Sequence, residues 1–146
     1  MTINNISNRL AQLKAYDSNG IQTIIQESYA KDALDLLDQT LLSDPNTTYL
    51  DPQAGSGTFL IYLAERLMVT LASAIPDEFE RIKHIFSNQL YANDIDSLQV
   101  LVCKTNLKKA LNNKTYKVNV TQKDFAAIDK TYTVVLSAVD FATTNN

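Results

Sequence analysis

The chain has 146 residues, 45% hydrophobic and 20% charged, which is ordinary globular composition and excludes a wholly disordered chain. Lys and Arg number 13 against 16 Asp and Glu, and this acidic balance argues against an autonomous nucleic-acid binder. A single cysteine, Cys103, excludes an internal disulfide, and with the one histidine, His84, it makes no zinc site without several carboxylates, so no metal is expected.

In chain order, Ile6, Leu10 and Leu13 give a weak helical stripe before the turn Asp17-Ser18-Asn19-Gly20, so residues 1–27 read as an N-terminal helical segment. Ser28 is the expected N-cap of a helix with Ala30, Ala33, Leu34, Leu37 and Leu41 on one face. Ser43-Asp44-Pro45-Asn46 closes it, and Thr47 to Leu50 is a short β-prone run. An apolar helix follows from Thr58 to Leu71, then a break at Ile75-Pro76-Asp77 and a shorter helix to about Phe86. Gln89 to Asp94 reads as a second strand. Asp96 or Ser97 then caps a helix carrying Leu98, Leu101, Val102, Leu107, Ala110 and Leu111 on its apolar face. Tyr116, Val118 and Val120 alternate as a third strand, and Tyr132 to Leu136 is a fourth. Strands alternating with helices predict an α/β domain with a parallel sheet, over residues 28–141, with a polar tail at 142–146. Met1 to Leu10 has no signal-peptide core, and Glu65, Arg66 and Lys104 interrupt the longest apolar stretches. The expectation is a soluble, cytoplasmic protein with no membrane segment.

Only three glycines occur, and two of them, Gly55 and Gly57, lie in Asp51-Pro52-Gln53-Ala54-Gly55-Ser56-Gly57-Thr58. Strand, glycine turn, helix points backbone N–H groups and a positive helix end at an anion. The plainer reading is a simple strand-to-helix turn. A dinucleotide fingerprint would need a small residue where Leu60 stands, and a phosphate-binding P-loop would need a lysine after Gly57. A smaller negative group, such as an amino-acid carboxylate, remains, and Asp51 at the strand end suits an amine.

Three strands end in an acid: Asp51, Asp94 and Asp124. In a doubly wound sheet those ends form one rim, where ligands bind. One acid would meet an amine, one a ribose diol and one the amino group of a base, with the apolar Ile95 and Phe125 beside a flat ring. The plainer reading makes Asp94 or Asp96 a helix cap and Asp124 a turn residue. S-adenosylmethionine fits the set of three.

Asp51-Pro52-Gln53-Ala54-Gly55-Ser56-Gly57-Thr58-Phe59-Leu60 resembles the cofactor-loop motif of N6-adenine-specific DNA methyltransferases, and Tyr91-Ala92-Asn93-Asp94-Ile95-Asp96 their ribose-binding motif. Lys123-Asp124-Phe125 is similar to the third motif of that family, and the resemblance runs from about Ser28 to Phe141. It implies a Rossmann-like S-adenosylmethionine-dependent methyltransferase fold, strand order 3-2-1-4 with flanking helices. It implies S-adenosylmethionine or S-adenosylhomocysteine as ligand, in a restriction-modification setting. By that resemblance Gly55 and Gly57 shape the loop around the methionine part, Asp94 holds the ribose hydroxyls, and Ile95 packs on the adenine. Asp124 accepts from the adenine amino group, with Phe125 beside it.

The sequence departs from the family after its fourth strand. Where the family carries Asn/Asp-Pro-Pro-Tyr/Phe, this chain has Ala138-Val139-Asp140-Phe141, and only Phe141 matches. Ala138 offers no acceptor for a target amine, and the prolines that fix the loop are missing. The expectation is a truncated, catalytically impaired cofactor-binding domain; the alternative is a non-catalytic module that binds the cofactor or a partner. DNA would be engaged weakly or through a region not present in this sequence. An unpaired edge on Tyr132 to Leu136 predicts a homodimer. Lys104, Lys108, Lys109, Lys114 and Lys117 read as a solvated face, His84 as a surface histidine without a partner and Cys103 as a core residue.

Overall fold

The computed structural model describes residues 27–111, 117–128 and 131–136. The elements in chain order are α1 (Glu27–Asp35), α2 (Gln39–Leu42), β1 (Tyr49–Asp51), α3 (Thr58–Thr70), α4 (Glu78–His84), β2 (Leu90–Asn93), α5 (Ser97–Leu111), β3 (Asn119–Thr121) and β4 (Val134–Val135). A π-helical turn, Ile85–Gln89, joins α4 to β2, and a 3-10 turn, Phe125–Ala127, follows β3. The strands form one parallel sheet in the order β3-β2-β1-β4. This is the Rossmann-like α/β arrangement expected from the sequence, with the same strand order.

All three residues of β1 are buried, as befits a central parallel strand covered on both faces. The core centres on α3, which is apolar nearly all round and buries nine residues from Thr58 to Met68. It packs against α1, α2, α4, α5 and β2. Ala30, Ala33 and Leu34 of α1 face it, as the stripe predicted. The expected single first helix is instead two. Asp38 accepts from Thr40 N at 2.7 Å and starts α2, and Glu27 precedes Ser28 within α1, so Ser28 is not the cap.

Two further expectations are corrected. Leu98 and Leu101 are 58% and 61% exposed, because at 3.6 residues per turn they lie on the side of α5 opposite its buried positions. The face turned inward is Val100, Cys103, Asn106, Leu107, Ala110 and Leu111. His84 is half-buried rather than a partnerless surface residue. The Pro45 carbonyl, 2.7 Å from Nε2, can only accept, so Nε2 carries the proton and Nδ1 faces Asn88 Nδ2 at 3.2 Å. Lys104, Lys109 and Lys117 are exposed, in line with a solvated face, and Cys103 is in the core. Tyr116, Lys114, the segment 1–26, the motif positions Ala138 to Phe141 and the tail 142–146 lie outside the described residues. The edge expected on Tyr132 to Leu136 falls on described residues: β4 stands at the end of the strand order, paired with β1 on one side and with no further strand among the described residues on the other, but the homodimer expected through it is not supported. Among the described residues no helix is long and apolar enough to cross a membrane.

Buried polar side chains fasten the ends of these elements. Arg81, 6% exposed, donates from Nη1 to Met68 O at 2.7 Å, from Nε to Ile75 O at 2.8 Å and from Nη2 to Pro76 O at 2.8 Å. It therefore closes the C-terminal end of α3 and the turn after it, where helix carbonyls lack internal partners. Gln89 Nε2 does the same for Asp44 O and Thr47 O, and Asn119 Nδ2 for Ser87 O and Leu90 O. Arg81→Met keeps the apolar stem but strips three carbonyls of charged donors, and should lower the unfolding free energy by about 3 kcal/mol. Urea denaturation measures this; a loss below about 0.5 kcal/mol would mean that water replaces the guanidinium freely.

Candidate cofactor site at the strand ends

The carboxyl ends of β1, β2 and β3 converge, and backbone bonds knit the loops that leave them. Ala54 N donates to Asn93 O at 2.9 Å, and Asp94 N to Thr121 O at 3.2 Å. Gly55 N donates to Asp94 Oδ2 at 3.1 Å, which brings the glycine turn onto the second acid. Gln122 Nε2 reaches Ile95 O at 3.2 Å and joins the second loop to the third. Asp51 ends β1 as expected, but β2 ends at Asn93 and β3 at Thr121, so Asp94 and Asp124 stand on the loops one and three residues beyond their strands, at the same end of the sheet.

Gly55 and Gly57 both have positive φ, 55° and 83°. Gly57 also carries a packing constraint that the sequence did not reveal. A Cβ there would stand 2.9 Å from Cys103 Sγ, so α5 lies directly against the turn. Asn106 Nδ2 secures the same contact by donating to Ser56 O at 3.0 Å. The glycine turn is therefore held from below by α5. Its N–H groups are partly occupied within the chain: Gly57 N donates to Ala54 O at 2.9 Å.

The three acids have different surroundings. Asp51 is 7% exposed, and among the described residues its carboxyl accepts one hydrogen bond, from Gln53 N at 3.2 Å, with no cationic side chain beside it. Burial pushes its pKa up to about 7; the Gln53 N–H opposes this and the neighbouring Asp94 charge adds to it. Asp94 accepts two backbone N–H groups, Gly55 on Oδ2 and Asp96 at 3.0 Å on Oδ1. Asp124 accepts from Ala126 N at 2.9 Å and starts the 3-10 turn, so the turn-residue reading describes its local bonding. Asp96 rather than Asp94 caps α5. Ile95 is 63% and Phe125 38% exposed, both on the loops that leave the rim. Burial and the charges of Asp51 and Asp94 push the Cys103 thiol up to about 12, so it stays protonated beneath the turn.

Sequence reasoning missed Asn93, the last residue of β2. Its amide is 1% exposed; Nδ2 donates to Pro52 O at 3.1 Å and to Lys123 O at 3.0 Å. Oδ1 accepts from Thr121 Oγ1 at 2.8 Å and from Lys123 N at 2.9 Å. The available signal was a polar residue ending an otherwise apolar strand, which must find partners if buried. Two cavities lie elsewhere. A groove of about 300 Å³ between α1 and α3 is lined by Leu34, Arg66 and Val69. A cavity of about 60 Å³ lies under Tyr132 on the sheet, where the Tyr132 and Tyr91 rings are 4.9 Å apart. Among the described residues no group of three or more His, Cys, Asp or Glu is placed to hold a metal ion.

One similar solved structure is a nuclease-deletion mutant of the Type ISP restriction-modification enzyme LlaGI in complex with a DNA substrate mimic. It has 18% identity, covers 92% of this chain and has a TM-score of 0.59. This chain spans 12% of that one. A second, from Listeria monocytogenes, is described as a class I S-adenosylmethionine-dependent methyltransferase; it has 16% identity and a TM-score of 0.49. It covers 99% of this chain, which spans 45% of it. At such identities the likeness concerns the fold. No protein-family model matches the chain, and no curated protein does.

The raised Asp51 pKa has a definite sign for stability. An unfolded Asp51 loses its proton near pH 3.8 and the folded one only near 7, so the contribution is fully present below pH 3.8 and is lost as pH rises to about 7. Asp51→Asn cannot ionise and should become progressively more stable relative to wild type over that window, by a few kcal/mol in all. Denaturant melts at about pH 4.5, 6 and 7.5 measure the difference. A constant offset would show that Asp51 ionises normally.

Proposed function

We propose that this chain is the S-adenosylmethionine-binding part of an adenine-specific DNA methyltransferase of the restriction-modification kind. The observation that carries the reading is the convergence of Asp51, Asp94 and Asp124 on one rim beside a positive-φ glycine turn. The residues suit the ligand chemically. A buried carboxylate with no cation beside it among the described residues, Asp51, suits an ammonium group. Asp94 keeps lone pairs for a ribose diol beyond its two backbone bonds. Asp124 would accept from the adenine amino group, and the exposed Ile95 and Phe125 would cover the two sides of the ring. When bound, the cofactor supplies an electrophilic methyl group. The likeness to a portion of LlaGI supports the restriction-modification setting.

Calorimetric titration with S-adenosylhomocysteine tests the reading. Wild type should bind, and Asp94→Ala should weaken binding by about 1.5–3 kcal/mol, the worth of hydrogen bonds to a charged acceptor. Changes at the exposed Lys104 and Lys109 should leave affinity as it is. No heat from wild type at millimolar ligand, or full affinity in Asp94→Ala, overturns the cofactor reading or the ribose assignment respectively.

Transfer is a separate matter. Ala138 provides no acceptor where the family places Asn or Asp, and Val139 and Asp140 replace its prolines. An absent positioned acceptor typically costs on the order of a hundredfold or more in rate. We expect this chain alone, with tritiated S-adenosylmethionine and adenine-containing duplex DNA, to give no labelling above background. Robust labelling would mean that another group, Asp140 first among them, serves as acceptor.

A further inference from the structure

We propose that Asn93 is a positioning residue that sets the spacing of all three acids on the rim, an inference that rests on the cofactor reading above. Strand pairing ends just short of the site, where two backbone bonds remain, Ala54 N to Asn93 O and Asp94 N to Thr121 O. The β1–β2 ladder stops at Asp51↔Ala92 and the β2–β3 ladder at Asn93↔Thr121. Beyond those pairs, the Asn93 amide joins these two backbone bonds in holding the loops. It holds the Lys123 peptide unit at both its N–H and its C=O, and on the other side it holds Pro52 O.

The partners are telling. Pro52 follows Asp51, Lys123 precedes Asp124, and Asn93 itself precedes Asp94. One side chain is therefore a single residue away from each acid. Pro52 has no N–H and offers only its carbonyl, so a donor is needed there. An amide, with two donors and an acceptor in one plane, meets Pro52 O, Lys123 O and Lys123 N together. Aspartate of the same shape would turn one carboxylate oxygen, in place of Nδ2, toward both carbonyls. Leucine would leave all the partners unsatisfied. Thr121 steadies the amide by donating to Oδ1 at 2.8 Å, which leaves Nδ2 for the two carbonyls.

A ligand that touches all three loops depends on their spacing, whereas the stability of the fold away from the rim does not. The experiment compares Asn93→Asp and Thr121→Val with Arg81→Met, a variant that loses three carbonyl bonds at the far end of α3. S-adenosylhomocysteine affinity is measured by calorimetry at a temperature where circular dichroism shows each protein folded. Asn93→Asp should bind tenfold or more weakly than wild type, Thr121→Val more weakly in the same direction, and Arg81→Met within twofold. Hydrogen exchange in the free protein should show faster exchange at both Gly55 and Lys123 amides in the Asn93 variant. If both rim variants bind as wild type, or if Arg81→Met loses as much as they do, Asn93 is merely structural and the proposal fails. Should Asn93→Asp not fold, Thr121→Val decides alone, and wild-type affinity there overturns it. Wild type that binds nothing overturns the cofactor reading instead, and this one with it.

Discussion

Short parallel strands leave backbone groups at their ends without ladder partners, and burial makes each of those groups costly to abandon. The described strands have two to four residues, so a large share of the sheet is strand end. The remedy recurs throughout the molecule: a buried polar side chain reaches the orphaned carbonyls. Asn93 serves the carboxyl ends of three strands, Asn119 the entry into β2, Gln89 the turn before β1, Asn106 the glycine turn and Arg81 the end of α3. Remove these groups and the apolar core would still favour collapse, but the loops would lose their fixed relation to one another.

The rim combines this order with uncompensated charge. Asp94 and Asp124 are stabilised by backbone N–H groups, as acids at turns and caps commonly are. Asp51 is different, because it is deeper and has a single backbone donor. Its elevated pKa expresses a cost that a neighbouring cation would relieve. Perturbed titration in a rim of this kind is a common mark of ligand sites. The packing of α5 beneath Gly57 limits how far the turn can move, so charge and loop geometry are fixed together.

The solvent side of α5 shows where a hydrophobic stripe misleads. Leu98 and Leu101 look like core residues by type, yet they face solvent while Val100 and Cys103 join the expected Leu107, Ala110 and Leu111 on the inward face. Successive residues are about 100° apart around a helix, so apolar residues that do not share one arc cannot all be buried. His84 was misread for a related reason. Its partner, Pro45, is far away in sequence and meets it only because α4 returns beside the turn before β1.

The strand order was what the family resemblance implied; the residues themselves determined the alternation of strands and helices, the parallel sheet, the glycine turn and the acids at or beyond the ends of β1, β2 and β3. Those features rest on local periodicity, on glycine at positive φ and on the rule that ligands gather at the carboxyl ends of parallel strands. Tertiary structure alone decided the protonation of Asp51, the second reason for Gly57 and the role of Asn93. Each depends on groups distant in the chain: Asp94 beside Asp51, Cys103 against the turn, and Pro52 and Lys123 on either side of one amide. Burial and hydrogen-bond partnership are properties of neighbours in space, and periodicity along a chain reports only which face is turned toward them.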